Sequence, residues 1–282
     1  MFLCSKIRLM EIRMKDYFGK DLTIIKNKKL YLFDMDGTIY LGKMLFDGVS
    51  TLLSRIKESG GRYVFITNNS SKSVDDYVVH LKSMGLDVTR EDFFTSAQAA
   101  EILLKEKFGT ALIYTQGTDS FVRQLKDSGL NITTRYDENV KCVIVGFDTE
   151  ITGEKLKNTC EVLSKIKDVP YYATNPDWVC PVEFGYIPDC GSMCFGIEKA
   201  TGRKPVYIGK PEPEMINIVT EKFGYKKDDV VVLGDRLYTD IAAGVNAGVD
   251  TIMVLSGEAT LKDYEDSTFK PTFLLNSVKD LL

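Results

Sequence analysis

The chain has 282 residues, 44% hydrophobic and 27% charged, with 36 Lys and Arg against 40 Asp and Glu for a net charge of −4. A chain of this length exceeds the usual single domain, so two domains are the default. The balance of charge, without a long basic run, gives no reason to expect nucleic-acid or membrane-surface binding.

Six cysteines stand singly, without the paired spacing of a zinc site or a secreted disulfide framework. Charged residues interrupt the N-terminal segment too early for a signal-peptide apolar core, and no stretch approaches about 18 uninterrupted apolar residues. Reduced thiols and a cytoplasmic location are expected. Met10 and Met14 are both candidate starts, and residues 1–25 read as a candidate appendage to the fold. His80 is the only histidine and falls in a helix-like stretch, which argues against a histidine base.

The first buried strand is Leu30-Tyr31-Leu32-Phe33, followed at once by Asp34-Met35-Asp36-Gly37-Thr38. Two carboxylates at i and i+2 on an extended segment point to opposite faces, so they converge only if the chain turns, which Gly37 and Thr38 permit. Asp34 is then a candidate nucleophile or metal ligand and Asp36 a proton donor and acceptor. An acid-capped Asp-Gly turn is the plain structural alternative.

An amphipathic helix over Val49 to Glu58 follows, with Leu52, Leu53 and Ile56 at helical spacing and Gly60-Gly61 ending it. Tyr63 to Ile66 reads as a second strand ending at Thr67-Asn68-Asn69-Ser70, then a helix from Val74 to Met84 and a third strand at Phe93 to Thr95. A new series begins near Ala111: strand 111–114, helix 120–128, strand 142–146, helix 155–166, strand 171–173. Past Pro181 to Gly191 come strands at 206–210, 230–235, 251–255 and 272–275. This alternation predicts an α/β protein with a parallel sheet.

Four apolar runs end in Asp34, Thr67, Lys210 and Asp235, and in one parallel sheet all four ends would lie on the same edge. Two carboxylates, a hydroxyl and an ammonium are the inventory of phosphoryl transfer, where the transition state spreads negative charge over three oxygens. Each also has an ordinary reading: Thr67 as a helix cap, Lys210 before Pro211 as a loop lysine, Asp235 as a turn and Asp240 as a cap.

Asp34-Met35-Asp36-Gly37-Thr38, Thr67-Asn68-Asn69, Gly209-Lys210-Pro211 and Gly234-Asp235-Arg236 through Thr239-Asp240 resemble the four ordered motifs of the haloacid dehalogenase superfamily of phosphatases. Asn68-Asn69-Ser70, Ala173-Thr174-Asn175-Pro176-Asp177 and Gly209 to Pro213 further resemble its class IIA, NagD-like or 4-nitrophenylphosphatase branch. The resemblance implies a Rossmann-like doubly wound core from residues 1–97 and 189–282, with a smaller α/β cap inserted at 98–188. It implies a Mg2+-dependent phosphomonoester hydrolase acting on a small phosphorylated metabolite (a sugar phosphate, a nucleotide or a phosphoglycolate-like acid) through an aspartyl-phosphate, with room for a homo-oligomer formed through the cap.

In that resemblance Asp34 attacks phosphorus and Asp36 protonates the leaving oxygen. Mg2+ sits between Asp34, the Asp36 backbone carbonyl and Asp235; Thr67 and Asn68 hold phosphoryl oxygens; Lys210 balances charge; and Asp240 supports the site from behind. Asn175 and Asp177 face the leaving group from the cap. The long N-terminal segment and Cys180 and Asp189 in the cap loop depart from the branch, which bears on substrate choice. A phospho-accepting receiver-type signalling domain uses similar groups in a different chain order and is the alternative. A dinucleotide-binding protein lacks support, because no Gly-x-Gly-x-x-Gly follows the first strand.

Overall fold

The computed structural model describes residues 14–182 and 184–282. In chain order its strands and helices are β1 (Leu30–Phe33), β2 (Tyr40–Leu41), β3 (Met44–Leu45), α1 (Val49–Glu58), β4 (Arg62–Thr67), α2 (Val74–Ser83), β5 (Phe93–Thr95) and α3 (Ser96–Phe108). Next come β6 (Leu112–Gln116), α4 (Asp119–Asp127), β7 (Asn131–Thr133), β8 (Cys142–Val145), α5 (Gly153–Lys165), β9 (Tyr171–Ala173), β10 (Val179–Val182) and β11 (Gly185–Pro188). The chain closes with α6 (Cys190–Thr201), β12 (Val206–Tyr207), α7 (Glu214–Lys222), β13 (Val230–Gly234), α8 (Ala242–Ala247), β14 (Asp250–Val254), α9 (Leu261–Asp266) and β15 (Phe273–Leu275).

Two parallel sheets organise these elements. A six-stranded sheet has the order β15-β14-β13-β1-β4-β5, and a five-stranded sheet the order β12-β9-β8-β6-β7. Strand β1 is buried along its whole length because both faces of its sheet are covered. Its residues alternate between two cores: Tyr31 and Phe33 pack with Leu52, Leu53, Ile56 and Tyr77 from α1 and α2, while Leu30 and Leu32 pack with Ala97, Ala100, Ile216 and Val219 from α3 and α7. Capping boxes at Ser73 with Asp76 and at Thr95 with Gln98 start α2, after the loop that follows β4, and α3, directly after β5.

Lys210 departs from the expected arrangement. The strand that precedes it, β12, pairs parallel with β9 in the five-stranded sheet, not with the strands that lead to Asp34, Thr67 and Asp235. The four ends therefore do not share one edge; three belong to one sheet and the fourth reaches across from the other. The same pairing draws the five-stranded sheet's last strand from beyond residue 188. Of the N-terminal segment expected to be an appendage, residues 1–13 lie outside the described residues, whereas Leu22 and Ile25 are buried in the core beside β1. Among the described residues no helix is long and apolar enough to cross a membrane.

Candidate active site

The site forms where the carboxyl ends of β1, β4 and β13 meet the segment after β12. Asp34 leaves β1 with its amide bonded to the Leu233 carbonyl. Gly37 adopts a positive φ of 83° and turns the chain back, so that its N–H reaches the Tyr40 carbonyl at 2.8 Å. That turn brings Asp36 to the pocket Asp34 lines, where the Tyr40 hydroxyl donates to Asp36 Oδ2 at 3.2 Å.

Lys210 is the centre of the cluster. Its Nζ lies 2.6 Å from Asp34 Oδ1 and 2.6 Å from Asp240 Oδ1, and it donates to the Ile66 carbonyl at 3.3 Å. Burial alone would lower its pKa, but Asp240 and Asp34 outweigh that and hold the ammonium charged. Asp240 is fully engaged, since its second oxygen accepts from the Arg236 N–H at 3.1 Å.

Asp235 follows β13. Its Oδ1 accepts from Thr38 Oγ1 at 3.3 Å and its Oδ2 from the Glu258 N–H at 2.7 Å. Glycines make room for it: a Cβ on Gly257 or Gly37 would stand 2.0 or 2.5 Å from Asp235 Oδ2. Carboxylate oxygens of Asp34, Asp235 and Asp240 lie within 4.8 Å of one another. Desolvation and the charge of Asp240 push Asp235 up to about 6 and raise Asp34 well above the usual carboxylate range. Such mutually repelling carboxylates, with oxygen donors only, fit a hard divalent cation. Desolvation likewise raises Asp36, with the Tyr40 hydrogen bond working against it.

Thr67 ends β4 and its hydroxyl accepts from the Asn69 N–H at 3.1 Å. Asn68 ties the sheets together: it accepts from the Lys210 N–H at 2.8 Å, and its amide nitrogen donates to the Lys210 carbonyl at 2.9 Å and to Asp177 Oδ2 at 2.7 Å. Asn175, expected to face the leaving group, instead stands fully buried behind Asp177, its amide shared between Asp177 Oδ2 and Asp189 Oδ1 at 2.9 Å each. Asp177 Oδ1 has no hydrogen-bond partner among the described residues, and Arg236 Nη1 is 3.7 Å away.

These groups surround a pocket of about 50 Å3 lined by Asp34, Asp36, Thr67, Asn68, Asn69, Asp177 and Lys210. Cys180, Pro181, Asp189, Arg236 and Thr239 complete the wall; Cys180 and Asp189 are the cap-loop residues expected to bear on substrate choice, while Pro181, Arg236 and Thr239 carry no assigned role in the sequence. Arg236 is the chief omission. It sits inside the Gly234-Asp235-Arg236 motif, where a cation between two acids is the signal, and its Nε binds Glu258 Oε2 at 2.9 Å. The Cys180 thiol is pushed up to about 12 by burial and by Asp189, so it remains protonated. Trp178 lies outside the pocket, exposed and edge-on to Phe195.

The family description Haloacid dehalogenase-like hydrolase matches residues 31–131, and HAD-hydrolase-like matches residues 207–281. The chain is 35% identical over 257 residues to the acid sugar phosphatase of Staphylococcus haemolyticus, covering 91% of this chain and 95% of that protein. Its structure is similar to that of 4-nitrophenylphosphatase from Thermotoga maritima, with a TM-score of 0.86, 39% identity, and coverage of 92% and 97%. Glycerol phosphate phosphatase from Mycobacterium tuberculosis in complex with magnesium is similar at a TM-score of 0.85 and 29% identity, covering 95% of this chain and 79% of that one.

Proposed function

The chain belongs to the haloacid dehalogenase-like hydrolases, in the NagD-like and 4-nitrophenylphosphatase branch of phosphatases, and we propose that it hydrolyses a small phosphorylated metabolite through an aspartyl-phosphate on Asp34 with Mg2+ as cofactor. The carrying observation is the convergence of Asp34, Asp235 and the Lys210–Asp240 pair from separate parts of the chain. A sugar phosphate is the substrate class we favour, from the relatives' activity. The pocket is large enough for a phosphoryl group, and its wall of Asp177, Cys180, Asp189 and Arg236 would meet the leaving group.

Asp34, Asp235 and the Asp36 carbonyl would hold the ion, which when bound offsets the negative charge of the carboxylates and the phosphoryl group. Lys210 fixes the Asp34 carboxylate toward the pocket and supplies a cation for the phosphoryl oxygens. Asp34 attacks phosphorus and the leaving oxygen departs with a proton from Asp36, whose raised pKa keeps that proton available. Asp36, now ionised, takes a proton from water as that water attacks the acyl phosphate, which frees phosphate and restores Asp34. Thr67 and the Asn68 amide would hold phosphoryl oxygens, and Asp240 positions Lys210.

We take the five-stranded sheet with its helices, and the β10–β11 hairpin whose Cys180 and Pro181 line the pocket, as the cap. Five free cysteines among the described residues agree with a cytoplasmic setting. Phosphatase relatives matched over nine tenths of the chain leave the receiver alternative without favour. Assay of the purified protein on a phosphate-ester panel with and without Mg2+ tests the reading: metal-dependent release of phosphate from sugar phosphates is expected. Turnover unaffected by chelation would overturn the metal's role.

A further inference from the structure

The five-stranded sheet has a switch point of its own. Its order β12-β9-β8-β6-β7 sends the chain from β6 outward to β7 in one direction and from β8 through β9 to β12 in the other. The crossover helices consequently fall on opposite faces: α4 packs with the core that includes Ala97 and Leu104 of α3, and α5 with the core of Val143 and Cys194. In open α/β sheets, a crevice opens at the carboxyl edge at such a point and takes a ligand.

A cavity of about 270 Å3 lies there. It is lined from both faces, by Asp119 and Val122 of α4 and by Lys155 and Asn158 of α5, with the end of β6 between them. It shares no lining residue with the reaction pocket. Thr115 and Gln116 in its wall are 1% and 2% exposed, and Thr115 Oγ1 and Gln116 Nε2 have no hydrogen-bond partner among the described residues. Gln116 is otherwise fixed, since its Oε1 accepts from Thr159, which also meets the Tyr114 hydroxyl at 2.9 Å. Two unpaired buried polar groups on adjacent residues at the end of one strand, one toward each face of the sheet, are uncommon in a native protein unless something answers them.

The rim adds charge of both signs. Arg135 beyond β7 is exposed and its guanidinium makes no ion pair among the described residues, and neither do the exposed carboxylates of Asp119 and Glu154. Lys155 is turned inward to Asp148 and the Gly117 carbonyl. A ligand that complements this rim offers an anionic acceptor group for Arg135 and an ammonium for Asp119 or Glu154.

We propose that this crevice is an effector site for a small zwitterion of the amino-acid kind. Its route to the reaction pocket is short: Thr118, beside the cavity residue Gly117, donates from Oγ1 to the Ser71 carbonyl at 3.0 Å. Ser71 in turn donates through its N–H to Asn69 Oδ1 at 2.9 Å, and Asn69 lines the reaction pocket. An occupant that shifts the β6–α4 turn acts on the loop after β4, and by reciprocity phosphate in the reaction pocket alters the effector's affinity.

The test is calorimetric titration of the full chain with glycine, L-alanine and L-glutamate, with acetate and methylamine as singly charged controls, alongside hydrolysis of 4-nitrophenyl phosphate. At least one amino acid is expected to bind about tenfold more tightly than either control, and to change kcat or KM. Val122→Trp fills the cavity and Arg135→Ala removes the rim cation. Each should weaken binding by about tenfold or more while leaving basal hydrolysis within about twofold. Circular dichroism checks their folding, and Arg135→Ala together with Glu154→Gln decides the matter if the tryptophan variant does not fold. Absence of amino-acid binding, binding indifferent to these variants, or simple competition with inorganic phosphate overturns the proposal. None of these outcomes touches the hydrolysis measured without effector.

Discussion

Asn68 and Lys210, 142 positions apart, close a ring of two hydrogen bonds: Asn68 Oδ1 accepts from the Lys210 N–H and Asn68 Nδ2 donates to the Lys210 carbonyl. One side chain thereby treats the Lys210 backbone as a strand neighbour would, and it joins the β4 end to the segment after β12. Gly209 is required beside it, since a Cβ there would stand 2.4 Å from Asn68 Oδ1.

Asn68→Ala leaves the Lys210 amide and carbonyl without their buried partner and Asp177 Oδ2 with Asn175 alone. We expect a loss of about 2–3 kcal/mol in urea unfolding. Turnover of 4-nitrophenyl phosphate should fall as well, because Lys210 loses the backbone anchor that aims its ammonium at Asp34. A variant within about 0.5 kcal/mol of the parent would show that the ring does not hold the two sheets together.

Asp34→Asn keeps the shape of the side chain and one acceptor oxygen for Lys210, but removes the attacking oxygen. Turnover should fall by roughly four orders of magnitude or more with the circular dichroism spectrum unchanged. Retention of most of the activity would mean that a different group attacks phosphorus.

Gly257 has room only for hydrogen where the Asp235 carboxylate passes. Gly257→Ala must push that carboxylate aside, and since Asp235 is the carboxylate we assign to the cation, apparent Mg2+ affinity should fall by about 10- to 100-fold with kcat largely recovered at saturating metal. Activity titrated against Mg2+ for both proteins gives the answer. An unchanged half-saturation point would remove Asp235 from the metal's contacts.

The strands of the core were legible because a sheet covered on both faces makes unbroken apolar runs, as in Leu30 to Phe33 and Val230 to Leu233. Their polar ends were legible for the same reason, since Asp34, Thr67 and Asp235 interrupt those runs abruptly. The sheet whose strand leads to Lys210 was not, because β12 is two residues long and partner choice leaves no local trace. Helices α3 and α6 were not legible in the sequence. Helix α3 buries small alanines at 97, 99 and 100 while exposing Ile102, and so lacks a clean apolar stripe. Helix α6 carries Gly191 because a Cβ there would meet the Pro176 carbonyl at 2.2 Å, a packing demand that lowers its helical signal. Asn175 was misplaced because one tripeptide turn serves equally to touch a ligand or to brace its neighbour.

That bracing makes a prediction about pH. Asp189 Oδ1 accepts from Asn175 and from the Cys190 N–H. Burial, against the Asn175 hydrogen bond and with the help of the Asp177 charge, pushes Asp189 up to about 6. In the unfolded chain an aspartate titrates near about 4. With the folded pKa raised above the unfolded one, the proton's contribution to stability is fully present below about 4 and is lost as pH rises through about 6. Asp189→Asn keeps an acceptor oxygen for Cys190 and carries no charge at any of these pH values. It should therefore gain on the parent protein across that window, by on the order of 2–3 kcal/mol between about pH 4 and pH 7.5. Urea unfolding of both proteins at the two ends measures the difference, in which every other titrating group common to the two cancels. A difference that does not change with pH would mean that Asp189 is ionised in the folded protein throughout, with Asn175 and the Cys190 amide together outweighing its burial.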